Sequence, residues 1–353
     1  MRVVFLTSTP ASPTEGSGTF VALDGMLRGL ETLGHDVSVR PLGFRSGFHT
    51  LDRWLYNART VPWRPDVDVV VGVDLDGFLW ARWGRGQQRY VVSLKGVIAD
   101  ELRNERGLVR ALLTVQARWE RRNVERADRV VVTSRYSADV AEQAYAIQRD
   151  KIVSIPEPID LADWRRRFSN AVRHPKSHPT VLAVARMYPR KRLQDLLDAA
   201  IPLRRRIPDV RIRIVGQGPE FARLQEQHSR LGLGETVTLL GEVSKGVLAV
   251  EYASADCFCL PSVQEGFGLV FAEAMAAGLP IVACRAAAIP DVVEDGRTGL
   301  LVSPRQPEAL ADALARLLLA HDLRNDMGMA GMRRVMEFDL VPVARRWVEA
   351  LSA

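Results

Sequence analysis

The sequence predicts an α/β protein built from two doubly wound parallel sheets, and three observations carry that prediction. Short β-rich apolar runs alternate with stretches of helical periodicity twice over, before and after a polar, proline-bearing segment at residues 165–179. The first such run, residues 3–7, leads through a Gly-rich loop into a helix and a second strand, a strand–loop–helix–strand unit. Residues 260–284 form an apolar stretch in which Glu273 is the one charge between Glu265 and Arg285, and Gly278, Leu279 and Pro280 punctuate it. It reads as a strand end, a Gly-rich turn, a buried helix and a further strand, not as a membrane span.

Bulk properties bound the answer. A chain of 353 residues has two domains of ordinary size as its default, and 47% hydrophobic with 25% charged residues is the balance of a soluble globular protein. The net charge of +6 is a weak pointer to nucleic acid, which is not expected as a partner. It is compatible with phosphorylated ligands or an anionic membrane surface. Cys257, Cys259 and Cys284 all lie in strand-like apolar stretches and read as buried reduced thiols, which implies a cytoplasmic location. No His accompanies them, so no metal site is expected. The opening residues are too few and too strand-like for a signal peptide, and no uninterrupted apolar run is long enough to span a bilayer.

Taken in order, the first half opens with the strand at residues 3–7 and a loop that ends in Gly16-Ser17-Gly18. These glycines allow the backbone to approach a phosphate at the start of the next helix, although a Gly-rich turn is often only a turn. That helix shows Phe20, Leu23, Leu27 and Leu30 on one side, and a strand follows at residues 37–39. Residues 44–83 hold four of the seven tryptophans, either as core and loop packing or as an acceptor groove whose aromatic faces stack on sugar rings. Strands are expected at 67–73, 90–94, 130–133 and 152–155. The strand at 90–94 ends on Lys95, which the carboxyl edge of an open sheet would aim into the ligand crevice. Residues 103–129 read as a long basic helix whose apolar positions Leu108, Leu112, Val115 and Trp119 form a core-facing stripe. Its arginines are either a solvated face or a contact with anionic lipid headgroups at the inner face of the membrane. Residues 165–179 are the linker candidate. Beyond it, strands at 181–185, 210–215, 237–240, 257–260, 281–284 and 299–302 alternate with helices, and residues 322–351 are helical.

Loops that follow parallel strands gather at one edge of the sheet. In the second half those loops carry Arg186, Lys191, Gly216, Gly218, Glu265 and the Gly266-Phe267-Gly268 turn, with a helix that starts after Gly266 and includes Leu269. Arg186 and Lys191 suit a diphosphate, one as a planar fork and the other as a point charge, and the amides at the helix start add donors. Glu265 and Glu273 do not bind phosphate. Eight residues apart on a helix they would rise about 12 Å and return to nearly the same face, lining one wall and accepting hydrogen bonds from ribose and sugar hydroxyls. Each feature alone has an ordinary reading, a surface cation or a paired helix carboxylate. Together they describe a ligand with a diphosphate between two polyols, a nucleotide sugar.

The same residues carry a family resemblance. Arg186 with Lys191 five positions on, Val215-Gly216-Gln217-Gly218-Pro219, the Glu265-to-Glu273 element, and Asp291-Val292-Val293-Glu294-Asp295-Gly296-Arg297-Thr298-Gly299-Leu300-Leu301-Val302 resemble the donor domain of retaining glycosyltransferase family 4, the glycosyl transferases group 1. The resemblance covers residues 180–320 closely and the first half more loosely. It implies the GT-B fold, two Rossmann-like domains facing across a cleft. Residues 1–172 would bind the acceptor, 173–330 would bind the donor, and 331–353 would form a C-terminal helix that packs back on the first domain.

By the same resemblance, Arg186, Lys191 and Glu265 form the catalytic set. Arg186 and Lys191 hold the donor diphosphate, Glu265 the hydroxyls of the transferred sugar and Glu273 the ribose, while Gly16 and Gly18 lie near the phosphates. Gly216, Gly218, Gly266, Phe267, Gly268 and Leu269 complete the donor side. The family needs no metal or cofactor, and its donors are UDP-, GDP- or ADP-linked. Transfer retains anomeric configuration by front-face attack on a carbohydrate, lipid-linked or small-molecule acceptor, in cell-envelope polysaccharide or glycolipid synthesis. Three positions depart from the pattern, of which Ala287-Ala288-Ile289-Pro290-Asp291 for Gly-Gly-Ile-Pro-Glu keeps small residues and a carboxylate. Ser93-Leu94-Lys95-Gly96 stands where relatives carry a His near the sugar, placing Lys95 on the acceptor or sugar side, and Glu157-Pro158-Ile159-Asp160 replaces Asn-Gly-Val-Asp. A GT-B epimerase or phosphorylase, or a non-catalytic nucleotide-sugar-binding protein, is the alternative function.

Overall fold

The computed structural model describes residues 1–9, 17–43, 46–105, 107–172 and 178–352. The chain divides into two compact units, Met1–Ile159 with Phe338–Ala353, and Asp160–Glu337. The boundary therefore lies at residue 160, ahead of the expected 172.

The first unit is a six-stranded sheet, all of whose strand pairs are parallel. Its strands are β1 (Arg2–Leu6), β2 (Asp36–Arg40), β3 (Val69–Val73), β4 (Arg89–Leu94), β5 (Arg129–Val132) and β6 (Ile152–Ser154), in the order β2-β1-β3-β4-β5-β6. Helices α1 (Ser17–Thr32), α2 (His49–Thr60), α3 (Trp80–Trp83), α4 (Ile98–Glu101), α5 (Gly107–Arg126) and α6 (Arg135–Tyr145) join them. Side chains on a strand alternate between its two faces, and this sheet is covered on both. Val4, Leu6, Val92 and Val130 enter one core with Trp80 and Tyr90. Val3, Phe5, Val71 and Val131 enter the other, with Leu23 and Met26 of α1 and with Val343, Ala344 and Trp347. The last three belong to the terminal helix Leu340–Ser352, which docks on this unit with Trp347 edge-on to Phe5 at 6.3 Å. Burying a side chain such as Phe5 contributes about 1.5–3 kcal/mol, so the helix adds to this core and does not trail from it.

The second unit is also a six-stranded parallel sheet. Its strands are β7 (Thr180–Val184), β8 (Arg211–Val215), β9 (Val237–Gly241), β10 (Cys257–Leu260), β11 (Ile281–Cys284) and β12 (Gly299–Val302), in the order β12-β11-β10-β7-β8-β9. Its helices are α7 (Leu161–Asn170), α8 (Leu193–Arg206), α9 (Phe221–Arg230), α10 (Lys245–Ser254), α11 (Leu269–Ala276), α12 (Ile289–Val292), α13 (Pro307–Leu319) and α14 (His321–Arg334). The strand order reverses at β7, whose neighbours are β8 and β10. Ligands of open parallel sheets bind at the carboxyl ends beside such a reversal. The switch point therefore selects the loops after β7 and β10 before any side chain is considered.

Two expectations are corrected here. The polar segment at 165–179 is not simply a linker, because most of residues 161–170 turn as α7, capped where Asp160 accepts from Asp163 N at 2.8 Å. Trp164 and Phe168, one helical turn apart, stack at 5.3 Å, and Trp164 meets Tyr252 of α10 edge-on at 5.5 Å. Three consecutive arginines at 165–167 give the segment its linker-like composition. Residues 173–177 lie outside the described residues. The apolar stripe of α5 is core-facing only in its second half. Trp119 stacks on Phe78 at 5.5 Å, while Leu108, Leu112 and Val115 are exposed.

Candidate active site

The loop after β7 runs Ala185-Arg186-Met187-Tyr188, then a single tight turn, Pro189–Lys191, before α8. Two backbone hydrogen bonds stitch it to the loop after β8, Ala185 N to Val215 O at 3.0 Å and Met187 N to Gln217 O at 2.8 Å. This close approach needs glycine. A Cβ on Gly216, whose φ is +130°, would lie 1.9 Å from Ala185 O, and one on Gly218 would lie 2.7 Å from Met187 N. Gly216 and Gly218 thus hold the cation-bearing loop in position by backbone packing.

The loop after β10 holds Ser262, Gln264, Glu265 and Phe267, all buried. Val263 N donates to Arg190 O at 2.9 Å and joins it to the first loop. Across that junction Lys191 Nζ sits 2.5 Å from Glu265 Oε1, with side chains 12% and 7% exposed. Burial raises the Glu265 carboxyl, but the charges of Lys191 and then Arg190 outweigh it and hold the group below the usual carboxylate range. Arg186 is exposed, and its guanidinium lies 5.6 Å from the Tyr188 ring. Arg190 lies 5.4 Å from the same ring, and its Nη1 is buried with no hydrogen-bond partner among the described residues. A buried donor left unsatisfied is costly, and an incoming anion would satisfy it. Sequence reading passed over Arg190. Its signal was a cation directly beside Lys191, but adjacency does not show which of two neighbours turns inward.

The Gly-rich turn differs from expectation in one respect. Residues 266–268 are not helical, and α11 begins at Leu269 after Gly268 adopts a left-handed φ of +92°. The eight-residue helical spacing between Glu265 and Glu273 is therefore not realised, and the two carboxylates have separate partners. Glu273 Oε2 accepts from Tyr252 Oη of α10 at 2.8 Å. Burial pushes the Glu273 carboxyl up to about 7, against the Tyr252 hydrogen bond and the charge of Lys245. Gly266 in the turn and Leu269 at the start of α11 are half-buried.

In the first unit, Gly18 is exposed in the first turn of α1, and Gly16 lies outside the described residues. Lys95 follows β4, as the sequence indicated, yet its Nζ is 3.0 Å from Glu157 Oε2, with side chains 6% and 8% exposed. Two of the positions that depart from the family pattern thus form one buried ion pair. The Asp74–Asp76 turn is fixed by a buried network. Asp74 Oδ1 accepts from Lys95 N at 2.8 Å, and Asp76 accepts from Ser8 N and Oγ at 2.5 and 2.7 Å and from Asn57 Nδ2 at 3.1 Å. Of the aromatic region, Tyr56, Phe78 and Trp80 are core, while Phe48, Trp54 and Trp83 are exposed.

A cavity of about 920 Å³ opens elsewhere, at the strand starts Thr180, Arg211 and Val237 of the second sheet. Arg211 is bridged by Glu235 at 3.1 Å and Arg213 by Glu251 at 2.5 and 2.6 Å, so its arginines already have anionic partners. The carboxyl edge, with exposed Arg186 and the unsatisfied Arg190 Nη1, is the better anion site.

Comparison with known proteins bears on the family and the fold. The family model described as Glycosyl transferases group 1 matches residues 165–334, and that described as Glycosyltransferase Family 4 matches residues 19–163. The chain is 37% identical over 184 residues to a GDP-mannose-dependent alpha-(1-6)-phosphatidylinositol monomannoside mannosyltransferase of Mycobacterium tuberculosis, covering 50% of this chain and 46% of the relative. It is 34% identical over 246 residues to a D-inositol 3-phosphate glycosyltransferase of Nocardia farcinica, covering 66% and 54%. The matches thus span about half the length of these relatives. Among solved structures, sucrose-phosphate synthase from Thermosynechococcus elongatus superposes with a TM-score of 0.80 at 21% identity, covering 99% and 98% of the two chains. WaaG, a glycosyltransferase involved in lipopolysaccharide biosynthesis, gives 0.77 at 16% identity, covering 99% and 100%. At these identities the superpositions establish the fold, GT-B.

Proposed function

The chain belongs to glycosyltransferase family 4, and on that premise we propose that it is a retaining, metal-independent enzyme that moves a sugar from a nucleotide diphosphate donor to a hydroxyl of a lipid-linked or polyol acceptor. The observation that carries this reading is the convergence of Arg186, Arg190 and Lys191 with Glu265 at the switch point of the second sheet. Arg186 and Lys191 bind the diphosphate, Glu265 orients the sugar, and Glu273 receives the ribose hydroxyls. GDP-mannose is the first donor to test, because a relative of this chain is GDP-mannose-dependent. A glycolipid or inositol-phosphate acceptor fits the relatives' activities in the same way. The three free buried cysteines suit a reducing compartment and support a cytoplasmic reading.

In the reaction, the bond from the sugar anomeric carbon to the diphosphate oxygen breaks and its electron pair leaves with the nucleoside diphosphate. The acceptor oxygen bonds to that carbon from the same face, and its proton passes to the departing phosphate oxygen. The protein's task is to stabilise charge on the leaving group and to position two substrates, the terms that dominate such transfers. The cations do what a divalent ion does elsewhere. A thermal-shift screen of UDP-, GDP- and ADP-sugars in chelator tests the reading. A donor at a hundred times its Kd stabilises the protein by about 2.7 kcal/mol. Stabilisation by GDP-mannose, followed by GDP release on adding acceptor, supports it, and no response to any nucleotide sugar contradicts it.

A further inference from the structure

Between Arg186 and Arg190 in the loop after β7 stands Tyr188, a half-buried residue in contact with all three cations of the site. The Arg186 guanidinium lies over its ring, 5.6 Å from the centroid, and that of Arg190 at 5.4 Å. The Tyr188 carbonyl accepts from Lys191 N at 2.9 Å. The backbone on either side is fixed independently of the ring, through Met187 N to Gln217 O at 2.8 Å and Val263 N to Arg190 O at 2.9 Å. Glu265 is taken by Lys191, and among the described residues neither Arg186 nor Arg190 forms an ion pair. An aromatic face carries partial negative charge and attracts a guanidinium. It does so without accepting from the N–H fork, as a carboxylate would. Arg190 Nη1, buried and with no hydrogen-bond partner among the described residues, stays available to a ligand.

We infer that Tyr188 is a positioning residue of the diphosphate site, whose ring gathers the Arg186 and Arg190 guanidinium groups beside Lys191 and leaves their N–H donors free for phosphate. Like charges repel, and long side chains sample many rotamers. Two arginines without a shared contact would therefore be ordered only as the ligand binds, at a cost in affinity. A ring held by the backbone turn lowers that cost beforehand. A carboxylate in its place would compete with phosphate for the arginine forks, and an aliphatic side chain would attract neither of them. Two gathered guanidinium groups match two adjacent phosphates, so the arrangement favours a diphosphate over a monophosphate. The inference rests on the proposed diphosphate reading of this site and adds to it the residue that sets the arginine geometry.

The test is calorimetric titration of the full chain, in chelator, with GDP, UDP and ADP and with the matching monophosphates. For the base that binds, Tyr188→Leu should raise the diphosphate Kd about tenfold and the monophosphate Kd by less, so that selectivity for the diphosphate falls. Tyr188→Phe keeps the ring and should restore the wild-type selectivity. Tyr188→Gln is a second variant without the ring, in case the leucine variant fails to fold. In an Arg190→Ala background the cost of Tyr188→Leu should shrink, because one of its two guanidinium contacts is already gone. Three results would each overturn the inference while leaving the diphosphate reading in place: equal loss for diphosphate and monophosphate, a loss in Tyr188→Phe as large as in Tyr188→Leu, or unchanged binding in the folded variants without the ring. Failure of the wild-type chain to bind any of the six nucleotides would overturn both.

Discussion

Lys191 Nζ lies 2.5 Å from Glu265 Oε1, and both side chains are almost fully withdrawn from water. The pair joins the two loops that flank the switch point of the second sheet. Removing one partner leaves a buried charge unpaired, which costs about 3–5 kcal/mol, whereas removing both does not. Lys191→Ala should therefore destabilise the protein by about that amount in denaturant unfolding. Lys191→Met/Glu265→Gln should recover most of it and remain inactive, with kcat lowered about a hundredfold or more. Recovery of turnover in the double variant would show that the pair serves only the fold. The sign with pH follows from the depressed Glu265 carboxyl. Its contribution is present above the ordinary value of 4.5 and is lost as pH falls through its lower folded value.

Glu273 behaves oppositely, because burial lifts its carboxyl to about 7. Its protonated form is the one favoured in the fold, so native stability relative to Glu273→Gln should decline as pH rises from 4.5 to about 7. Ribose hydroxyls donate more strongly to an ionised carboxylate than to a protonated one. Donor Kd should therefore fall as pH rises through about 7, and Glu273→Gln should flatten that profile. Calorimetric titrations at pH values on either side check this, and an unchanged profile in the variant would remove Glu273 from the donor site.

The Lys95–Glu157 pair in the first unit makes a parallel prediction with a different outcome for activity. Lys95→Met should cost about 3–5 kcal/mol, and Lys95→Met/Glu157→Gln should restore both stability and transfer if the pair acts by holding the loop after β4. A raised acceptor KM that persists in the stable double variant would instead put Lys95 in contact with substrate.

Helix α7 supplies a stability test. Trp164 packs on Phe168 and Tyr252, so Trp164→Ala should lower stability by about 2 kcal/mol, less than a fully buried aromatic because Trp164 is half-buried. A linker residue would change nothing in the same unfolding curve.

What could be read from the chain follows from the range of the interactions involved. The strand–helix alternation is local, so both parallel sheets were legible, and the loops bearing Arg186, Lys191 and Glu265 followed from strand ends. The partners of the buried charges were not legible. Tyr252 lies 21 residues from Glu273 and Glu157 lies 62 from Lys95, and no periodicity reports a tertiary contact. In α5 the heptad-like spacing of Leu108, Leu112 and Val115 identified a helix face but not what covers it, and the face proved to be open. In α7 the Arg165-Arg166-Arg167 run obscured an aromatic pair at helical spacing. Arg190 was hidden for a simpler reason, since the backbone turn that aims it inward is set by Pro189 and by the Val263 hydrogen bond from another strand's loop.

The central claim is that three side chains, Arg186, Arg190 and Lys191, bind a donor diphosphate without a divalent ion. Calorimetric titration of GDP-mannose into the protein in the presence of chelator tests it most directly. The account predicts binding in chelator, weakened about tenfold or more by Arg190→Ala and by Lys191→Met/Glu265→Gln, each loss matching a charge-assisted contact of about 1.5–3 kcal/mol. Binding that appears only on adding Mg²⁺, or that persists undiminished in both variants, would contradict it.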